Sequence, residues 1–214
     1  MRLFIVRHGE TEWNVDGRFQ GRHDTELSEY GLAQGKKIAD FLSGHRFDAV
    51  VSSPLSRARV TGELIAAACG SPEFEVMEDL EEICHGDWEG LLSTEVERRW
   101  PRLVDMWRES PHTVIMPGLG GESLRSVQLR AVSAVEIIAE KYAGDVCVAT
   151  HDAVIKVLLC WFLNAPLSSF WRFQIANCSL TIAELKGDAA PRVNLMGDAH
   201  YLDSGFSLPE QKGL

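Results

Sequence analysis

The 214-residue sequence lacks a long apolar run and an excess of basic residues. No apolar stretch approaches the roughly 20 residues of a membrane-spanning helix, and no charged leader with an apolar segment stands at the N-terminus. We therefore expect a cytoplasmic protein without a membrane partner. The 21 basic and 31 acidic residues give a formal net charge of −10. Because nucleic acids attract cationic surfaces, we expect no nucleic-acid partner either.

Paired ligand motifs are also missing. The five cysteines are widely separated and odd in number, with no Cys-x-x-Cys pair that would indicate zinc or a redox centre. The histidines show no His-Glu-x-x-His spacing. We predict reduced thiols, no metal and no cofactor.

The sequence does contain alternating strand-like and helix-like segments. β-like runs occupy residues 2–7, 48–52, 75–77, 145–150, 179–185 and, more weakly, 192–196. Helical patterns begin at Ser28, at Pro54 and near Ser123. This alternation predicts a three-layer α/β/α sandwich with a mostly parallel sheet, in a single domain over residues 1–214.

The tripeptide Arg7-His8-Gly9 directly follows the apolar run 3–6. Ligands of open α/β sheets bind at the carboxyl ends of the strands, where helix N-termini attract anions such as phosphate. An imidazole at this point can act as a nucleophile that accepts a phosphoryl group. The alternative is that His8 only orients a loop.

Four blocks of sequence carry a family resemblance. The run 7–11 with Trp13-Asn14 behind it resembles the defining motif of the histidine phosphatase superfamily, which includes cofactor-dependent phosphoglycerate mutase. Segments 52–58, 80–90 and 149–151 resemble the other family motifs, in the family's order. The resemblance implies a phosphoglycerate mutase-like fold and a phosphohistidine intermediate on His8, without a metal.

The same resemblance assigns roles to four further residues. Arg7 and Arg57 would bind the phosphate, and their planar guanidinium groups match it bidentately. His151 would hydrogen-bond the phosphoryl oxygens as a cation while His8 attacks as a neutral base, so their pKa values should be pushed apart. Alignment on Gly86 and Trp88 places the general acid at Glu82, in preference to Glu81. Arg59 should point away from the site, and Asp87 and Glu89 should stabilise the turn.

Further residues are candidates for substrate binding. Asn14 can donate an amide hydrogen bond to a phosphoryl oxygen, and Gln20 and Gly21 can line the same pocket. Asp152 departs from the glycine that the family often has after the second histidine. It would either select a substrate that bears an amine or cap the helix that follows.

Residues 93–121 form an insertion with paired helical segments and two tryptophans. It should cap the pocket, or its tryptophans should fill the core. Family mutases carry a longer and more basic insertion, whereas this one balances its acids with arginines. This favours a phosphatase over a mutase. The tail, residues 198–214, should fold over the pocket or trail from the domain.

A narrower resemblance concerns the substrate, which should be a small phosphorylated metabolite. Segments 85–86, 107–112, 120–123 and 170–171, with Asn177 and Ser179, look like those of bacterial metal-independent phosphoserine phosphatases. His85 would then meet the substrate carboxylate, or it only packs under the acid loop. Ribazole-phosphate phosphatases and broad-specificity sugar or acid phosphatases share most of these features. A phosphoglycerate mutase and a non-enzymatic phospho-ligand-binding module are the remaining alternatives, and a homodimer is expected by family analogy.

Overall fold

The computed structural model describes residues 1–187 and 189–202. The predicted tail beyond residue 202 lies outside the described residues. The central sheet has six strands: β1 Arg2–Arg7, β2 Ala49–Ser52, β3 Glu73–Val76, β4 Val146–Thr150, β5 Leu180–Lys186 and β6 Ala189–Asp198.

The strand order is β3-β2-β4-β1-β5-β6. The first four strands are mutually parallel, and β5 and β6 add an antiparallel edge beside β1. The predicted mostly parallel sheet is confirmed. The prediction for β3 was displaced by about two residues, because this short edge strand is half-exposed and its register is set by pairing with β2.

Within the described residues, seven α-helices surround the sheet: α1 Glu12–Asp16, α2 Glu29–Leu42, α3 Ser56–Ala68, α4 Ser93–Arg99, α5 Pro101–Glu109, α6 Leu124–Lys141 and α7 Asp152–Phe162. Short 3₁₀ helices lie at Glu78–Leu80, Gly86–Trp88, Pro111–Thr113 and Leu167–Arg172. None of the helices within residues 1–187 and 189–202 has the length and apolar character needed to cross a bilayer.

Alternation along β1 divides the core between the two faces of the sheet. Leu3 and Ile5 pack in the cluster that α6 and α7 cover. Phe4 and Val6 pack on the opposite face, with residues of α2 and α3. Helices therefore cover both faces, as the predicted three-layer sandwich requires.

Side-chain caps define where the helices begin. Ser28 accepts a hydrogen bond from the Gly31 amide (3.0 Å) at the start of α2, and Ser123 caps α6, both as predicted. The prediction that Pro54 begins α3 was wrong by two residues. Asp24, on a distant loop, accepts hydrogen bonds from the Ser56 amide (2.6 Å) and hydroxyl (2.8 Å), so the helix begins there.

The insertion contains the paired helices α4 and α5 that its sequence indicates. Val104 and Trp107 of α5 are buried in the same cluster as Ile5. The Trp171 indole N–H donates to the Trp107 carbonyl (2.6 Å), which joins the insertion to the 3₁₀ helix at Leu167–Arg172. The insertion thus contributes aromatic side chains to the core.

Candidate active site

The parallel register brings the ends of three strands to one edge of the sheet. Arg7 pairs with Thr150, and Ser52 pairs with Ala149. His8 follows β1 and His151 follows β4, so the two residues lie close together at this edge. Residues 52–53, at the end of β2, lie beside them. Strand-end reasoning from the sequence placed these groups together, and the structure agrees.

His8 is buried and held in one tautomer. Its Nδ1 lies 2.6 Å from the Gly9 carbonyl oxygen. Because a carbonyl can only accept, Nδ1 carries the proton and Nε2 presents its lone pair. Burial, followed by the positive charges of Arg57 and Arg7, holds the pKa of His8 well below its usual value. The ring is therefore uncharged at neutral pH, and its Nε2 lone pair is suited to nucleophilic attack.

Gly9 allows the N-terminus of α2 to approach this loop. A Cβ at Gly9 would lie 2.5 Å from the Gly31 carbonyl oxygen. No side chain larger than hydrogen fits without movement of one backbone segment. Close packing against α2 therefore requires glycine at position 9. This packing also fixes the Gly9 carbonyl, which orients the His8 ring.

His151 lies beside His8, with ring centroids 5.2 Å apart. Its Nε2 is 2.8 Å from the Ser53 hydroxyl oxygen, a partner that the sequence analysis did not assign. Burial, then the charges of Arg57 and His8, also holds the pKa of His151 well below its usual value. The two pKa values move in the same direction because both rings are buried among the same arginines, and the expected separation between them stays a prediction.

Two arginines flank the histidines. Arg7 donates from Nη1 to the Ile175 carbonyl (2.6 Å), and Arg57 donates to the carbonyls of Gly21 (2.7 Å) and His23 (2.8 Å). Burial lowers the pKa of Arg57 to about 10. The Nε atoms of both arginines are buried without a hydrogen-bond partner among the described residues. Buried donors of this kind ordinarily have an acceptor, and guanidinium N–H groups are suited to an anion.

Glu82 is a buried carboxyl group at the N-terminus of α7. Its Oε1 accepts hydrogen bonds from the amides of Ile83 (2.9 Å) and Ala153 (3.2 Å). Burial, and then the nearby Asp152 carboxylate, raise the pKa of Glu82 against the opposing effect of these contacts and the arginines. Such a group can hold a proton for a departing alkoxide, which is the role predicted for it.

The sequence-predicted phosphate-loop residues lie near these groups in different ways. The Asn14 side-chain oxygen accepts from the Thr11 amide (3.1 Å) and so caps α1. The Gln20 side-chain oxygen accepts from the hydroxyls of Thr11 (2.9 Å) and Thr25 (2.6 Å). Gly21 reaches the site through its carbonyl, which holds Arg57. Direct contact of these three residues with substrate stays a prediction.

His85 lies in a cage of aromatic rings. Phe19 and Trp107 meet it edge-on, with centroids 5.0 and 6.3 Å away, and Trp88 stacks parallel to it at 6.4 Å. Burial lowers the pKa of His85 to about 3. Neither ring nitrogen has a hydrogen-bond partner within residues 1–187 and 189–202. The His85 ring thus packs in the core, and its two nitrogens can still accept a further hydrogen-bond partner.

No group of three or more histidine, cysteine, aspartate or glutamate side chains within the described part of the chain is arranged to hold a metal ion.

The chain matches the family model described as histidine phosphatase superfamily, branch 1, over residues 3–199. The chain belongs to the histidine phosphatase superfamily. The family resemblance of the four sequence blocks is confirmed.

Two proteins similar to this histidine phosphatase carry phosphoserine phosphatase names. It is 37% identical over 189 residues to "Phosphoserine phosphatase 1" of Hydrogenobacter thermophilus, covering 87% of each chain. It is 33% identical over 211 residues to the "Metal-independent phosphoserine phosphatase" of Arabidopsis thaliana, covering 95% of this chain and 87% of the relative. The solved structure titled "Bacillus stearothermophilus YhfR" superposes with a TM-score of 0.87 and 32% identity, covering 94% and 98% of the two chains. The predicted fold and the prediction of a phosphatase-type enzyme are confirmed.

Asp152 is the main correction to the predicted site of this histidine phosphatase. It is the first residue of α7, whose N-cap is His151, so Asp152 does not cap the helix. Its side chain is fully buried, 2.7 Å from the Lys156 ammonium and 3.6 Å from Arg7 Nη1. Because these protein cations already face the carboxylate, the structure does not support its selection of a substrate amine.

Lys156 is a residue that the sequence analysis missed. It is a fully buried lysine whose Nζ lies 5.1 and 4.8 Å from the ring centroids of Phe170 and Trp171. The available signal was the spacing of four residues between Asp152 and Lys156 in an otherwise apolar helix.

Arg59 and Glu89, which were assigned roles outside the chemistry, behave as expected, and the turn-stabilising role of Asp87 stays a prediction. Arg59 is exposed and pairs with Glu63 on its own helix (3.1 Å). Glu81 points to the surface side, where Arg22 pairs with it (3.2 Å). Glu89 accepts a hydrogen bond from the His85 amide (2.9 Å) and so stabilises the turn.

Proposed function

We propose that this chain hydrolyses the phosphomonoester of a small metabolite through a phosphohistidine on His8. Nε2 of His8 attacks phosphorus, the bond from phosphorus to the alcohol oxygen breaks, and Glu82 gives its proton to that oxygen. Water then attacks the phosphohistidine, Glu82 takes a proton from the water, and inorganic phosphate leaves with His8 restored. The observation that carries the proposal is the Nδ1–Gly9 contact, which leaves Nε2 as the attacking atom.

Charge on the phosphoryl group would be neutralised by arginines. The buried Nε donors of Arg7 and Arg57 suit the phosphoryl oxygens, and two guanidinium groups supply the positive charge that such a reaction needs. A bound dianion would also raise the pKa of His151 and so separate it from that of His8. In this proposal the reaction needs no metal and no cofactor.

Hydrolysis is favoured over mutase chemistry by the insertion. Two of its four arginines pair with acids of the same two helices, Arg108 with Glu97 and Arg99 with Glu95 (3.9 Å). Its four acidic residues also balance the charge of the four arginines. The insertion therefore offers little spare positive charge to retain a second phosphorylated acid. Water is then the acceptor of the phosphoryl group.

The substrate class that we propose is a phosphorylated hydroxy acid, with phosphoserine as the leading candidate. His85 lies three residues after Glu82, and one of its ring nitrogens can donate to a carboxylate oxygen. The names of two relatives support this choice.

Phosphate release tests this proposal. Wild type and His8→Ala are compared in EDTA with phosphoserine, 3-phosphoglycerate, ribazole phosphate and 4-nitrophenyl phosphate. His112→Ala, at an exposed histidine of the insertion, is the matched control. We expect wild type and His112→Ala to favour phosphoserine and to trap ³²P, whereas His8→Ala should be inactive and trap none.

Other results assign other functions. Preference for ribazole phosphate would replace the substrate, and isomerisation of 3-phosphoglycerate without phosphate release would indicate a mutase. Absence of both turnover and a phosphohistidine would indicate a binding module.

A further inference from the structure

Arg130 of α6 reaches across to the loop that carries Glu82. Its Nη1 donates to the carbonyls of Asp79 (2.9 Å) and Glu81 (2.5 Å), and its Nη2 donates to the carbonyl of Glu82 itself (3.1 Å). One side chain therefore holds three backbone acceptors within four consecutive residues.

Glu122 fixes the guanidinium from its other side. Arg130 Nε and Nη2 lie 2.9 and 3.0 Å from the two carboxylate oxygens of Glu122, which is a bidentate pair. The same carboxylate accepts from the Cys84 amide (2.9 Å), and the Glu122 amide donates back to the Cys84 carbonyl (3.0 Å). The segment 79–84 is thus fixed at both ends.

The charges of Arg130 and Glu122 form a permanent ion pair. Burial raises the pKa of Glu122, but the hydrogen bonds and charge of Arg130 outweigh that effect and lower it. Only 13% of each of the two side chains is exposed, so this pair is shielded from water more than surface pairs are.

The position of the Glu82 carboxyl depends on this loop. Its own hydrogen bonds are to backbone amides, one of them in the loop and one at the start of α7. A displacement of about 1 Å at a reacting group is enough to lower a rate about 100-fold. A residue that fixes the loop therefore controls whether the proton reaches the leaving oxygen.

We infer that Arg130, held by Glu122, is a positioning residue that aligns the general acid Glu82 with the leaving group. The inference rests on the proposed role of Glu82. A merely structural role would slow phosphoryl transfer to His8 from every ester alike, whereas a positioning role slows that transfer only for esters whose leaving oxygen needs the proton.

Two size-matched esters separate these roles. Benzyl phosphate releases a strongly basic alkoxide that needs an acid, and 4-nitrophenyl phosphate releases a stable phenolate that does not. For Arg130→Gln we expect kcat/KM, which reports phosphoryl transfer to His8 and not the later attack of water, to fall about 100-fold on benzyl phosphate and less than about threefold on 4-nitrophenyl phosphate. Glu82→Gln should show the same selectivity, and Arg125→Gln, exposed on the same helix, should show no change.

Each other outcome has a distinct meaning. If Glu82→Gln is selective but Arg130→Gln slows both esters equally, the inference about Arg130 is overturned and the proposed function stands. If Glu82→Gln is itself unselective, the acid assignment fails and the inference fails with it. Should Arg130→Gln not fold, Arg130→Lys keeps the charge without the planar fork, and the same ratio of rates decides the question.

Discussion

The Asp152 carboxylate and the Lys156 ammonium form a fully buried ion pair, with Oδ2 and Nζ 2.7 Å apart on successive turns of α7. Arg7 Nη1 lies 3.6 Å from the other carboxylate oxygen. Asp152 therefore lies between two cations. One is Arg7 of the proposed phosphate pocket, and the other is Lys156, whose ammonium lies over the rings of Phe170 and Trp171. The pair thus connects Arg7, at the edge of the sheet, with aromatic side chains of the core.

Removal of one partner should destabilise the fold. Lys156→Met leaves the Asp152 carboxylate buried with less positive charge around it, and we expect the free energy of unfolding to fall by about 3 kcal/mol. Urea denaturation measures the change. The double variant Asp152→Asn/Lys156→Met should lose at least about 1 kcal/mol less than the sum of the single variants. Strictly additive losses would show that the two side chains do not depend on each other.

Asp152 should also set the pH range of catalysis. Its negative charge raises the pKa of Glu82, so Asp152→Asn lowers that pKa, and Glu82 loses its proton at a lower pH. The alkaline limb of kcat/KM for benzyl phosphate should move to lower pH. With 4-nitrophenyl phosphate the limb should stay in place, as it should for exposed Asp105→Asn with either ester. A limb that moves upward would contradict the electrostatic argument.

Local sequence patterns predicted the parts of the fold that depend on local order. His8 and His151 each follow a buried strand, and parallel pairing brings such strand ends together. Ser28 and Ser123 precede amphipathic segments, so the starts of α2 and α6 could be read directly. The catalytic roles came from the family motifs, because spacing alone does not distinguish Glu82 from Glu81.

The rest of the site depends on contacts between distant segments. Arg130 lies 48 residues from Glu82, and its sequence neighbours give no sign that it spans the space to the acid loop. Asp24 fixes the start of α3 from 32 residues away. The role of Asp152 was misjudged because its helix begins one residue earlier than expected, which turns its side chain inward toward Lys156.

Arg57 should not tolerate replacement by lysine. Its two terminal nitrogens hold the carbonyls of Gly21 and His23 at the same time, and a single ammonium cannot keep this geometry and also bind phosphate. For Arg57→Lys we expect kcat/KM to fall on the order of 100-fold with both esters. Inhibition by inorganic phosphate should weaken in parallel. Arg59→Lys, two residues further along α3 and exposed, is the control, and equal effects of the two substitutions would contradict the assignment.

His85 should lower the stability of the fold at acid pH, and the same side chain should contribute to substrate choice. Its pKa is about 3 in the folded chain and near 6.5 when unfolded, so the unfolded state binds the extra proton and stability falls as the pH drops below 6.5. From pH 7 to pH 5 this one residue should cost about 2 kcal/mol. His85→Phe fits the aromatic cage, cannot titrate, and removes two polar atoms that have no hydrogen-bond partner in the described part of the chain. Urea denaturation should therefore show that much less pH dependence.

The same substitution tests the proposed carboxylate contact. If a His85 nitrogen donates to the substrate carboxylate, His85→Phe should raise KM for phosphoserine about tenfold, the loss expected for one hydrogen bond to a charged group, and leave KM for 4-nitrophenyl phosphate unchanged. A variant that gains acid stability and keeps its phosphoserine KM would show that His85 only packs under the acid loop. One that loses both substrates together would point instead to a displaced Glu82, because the two residues share that loop.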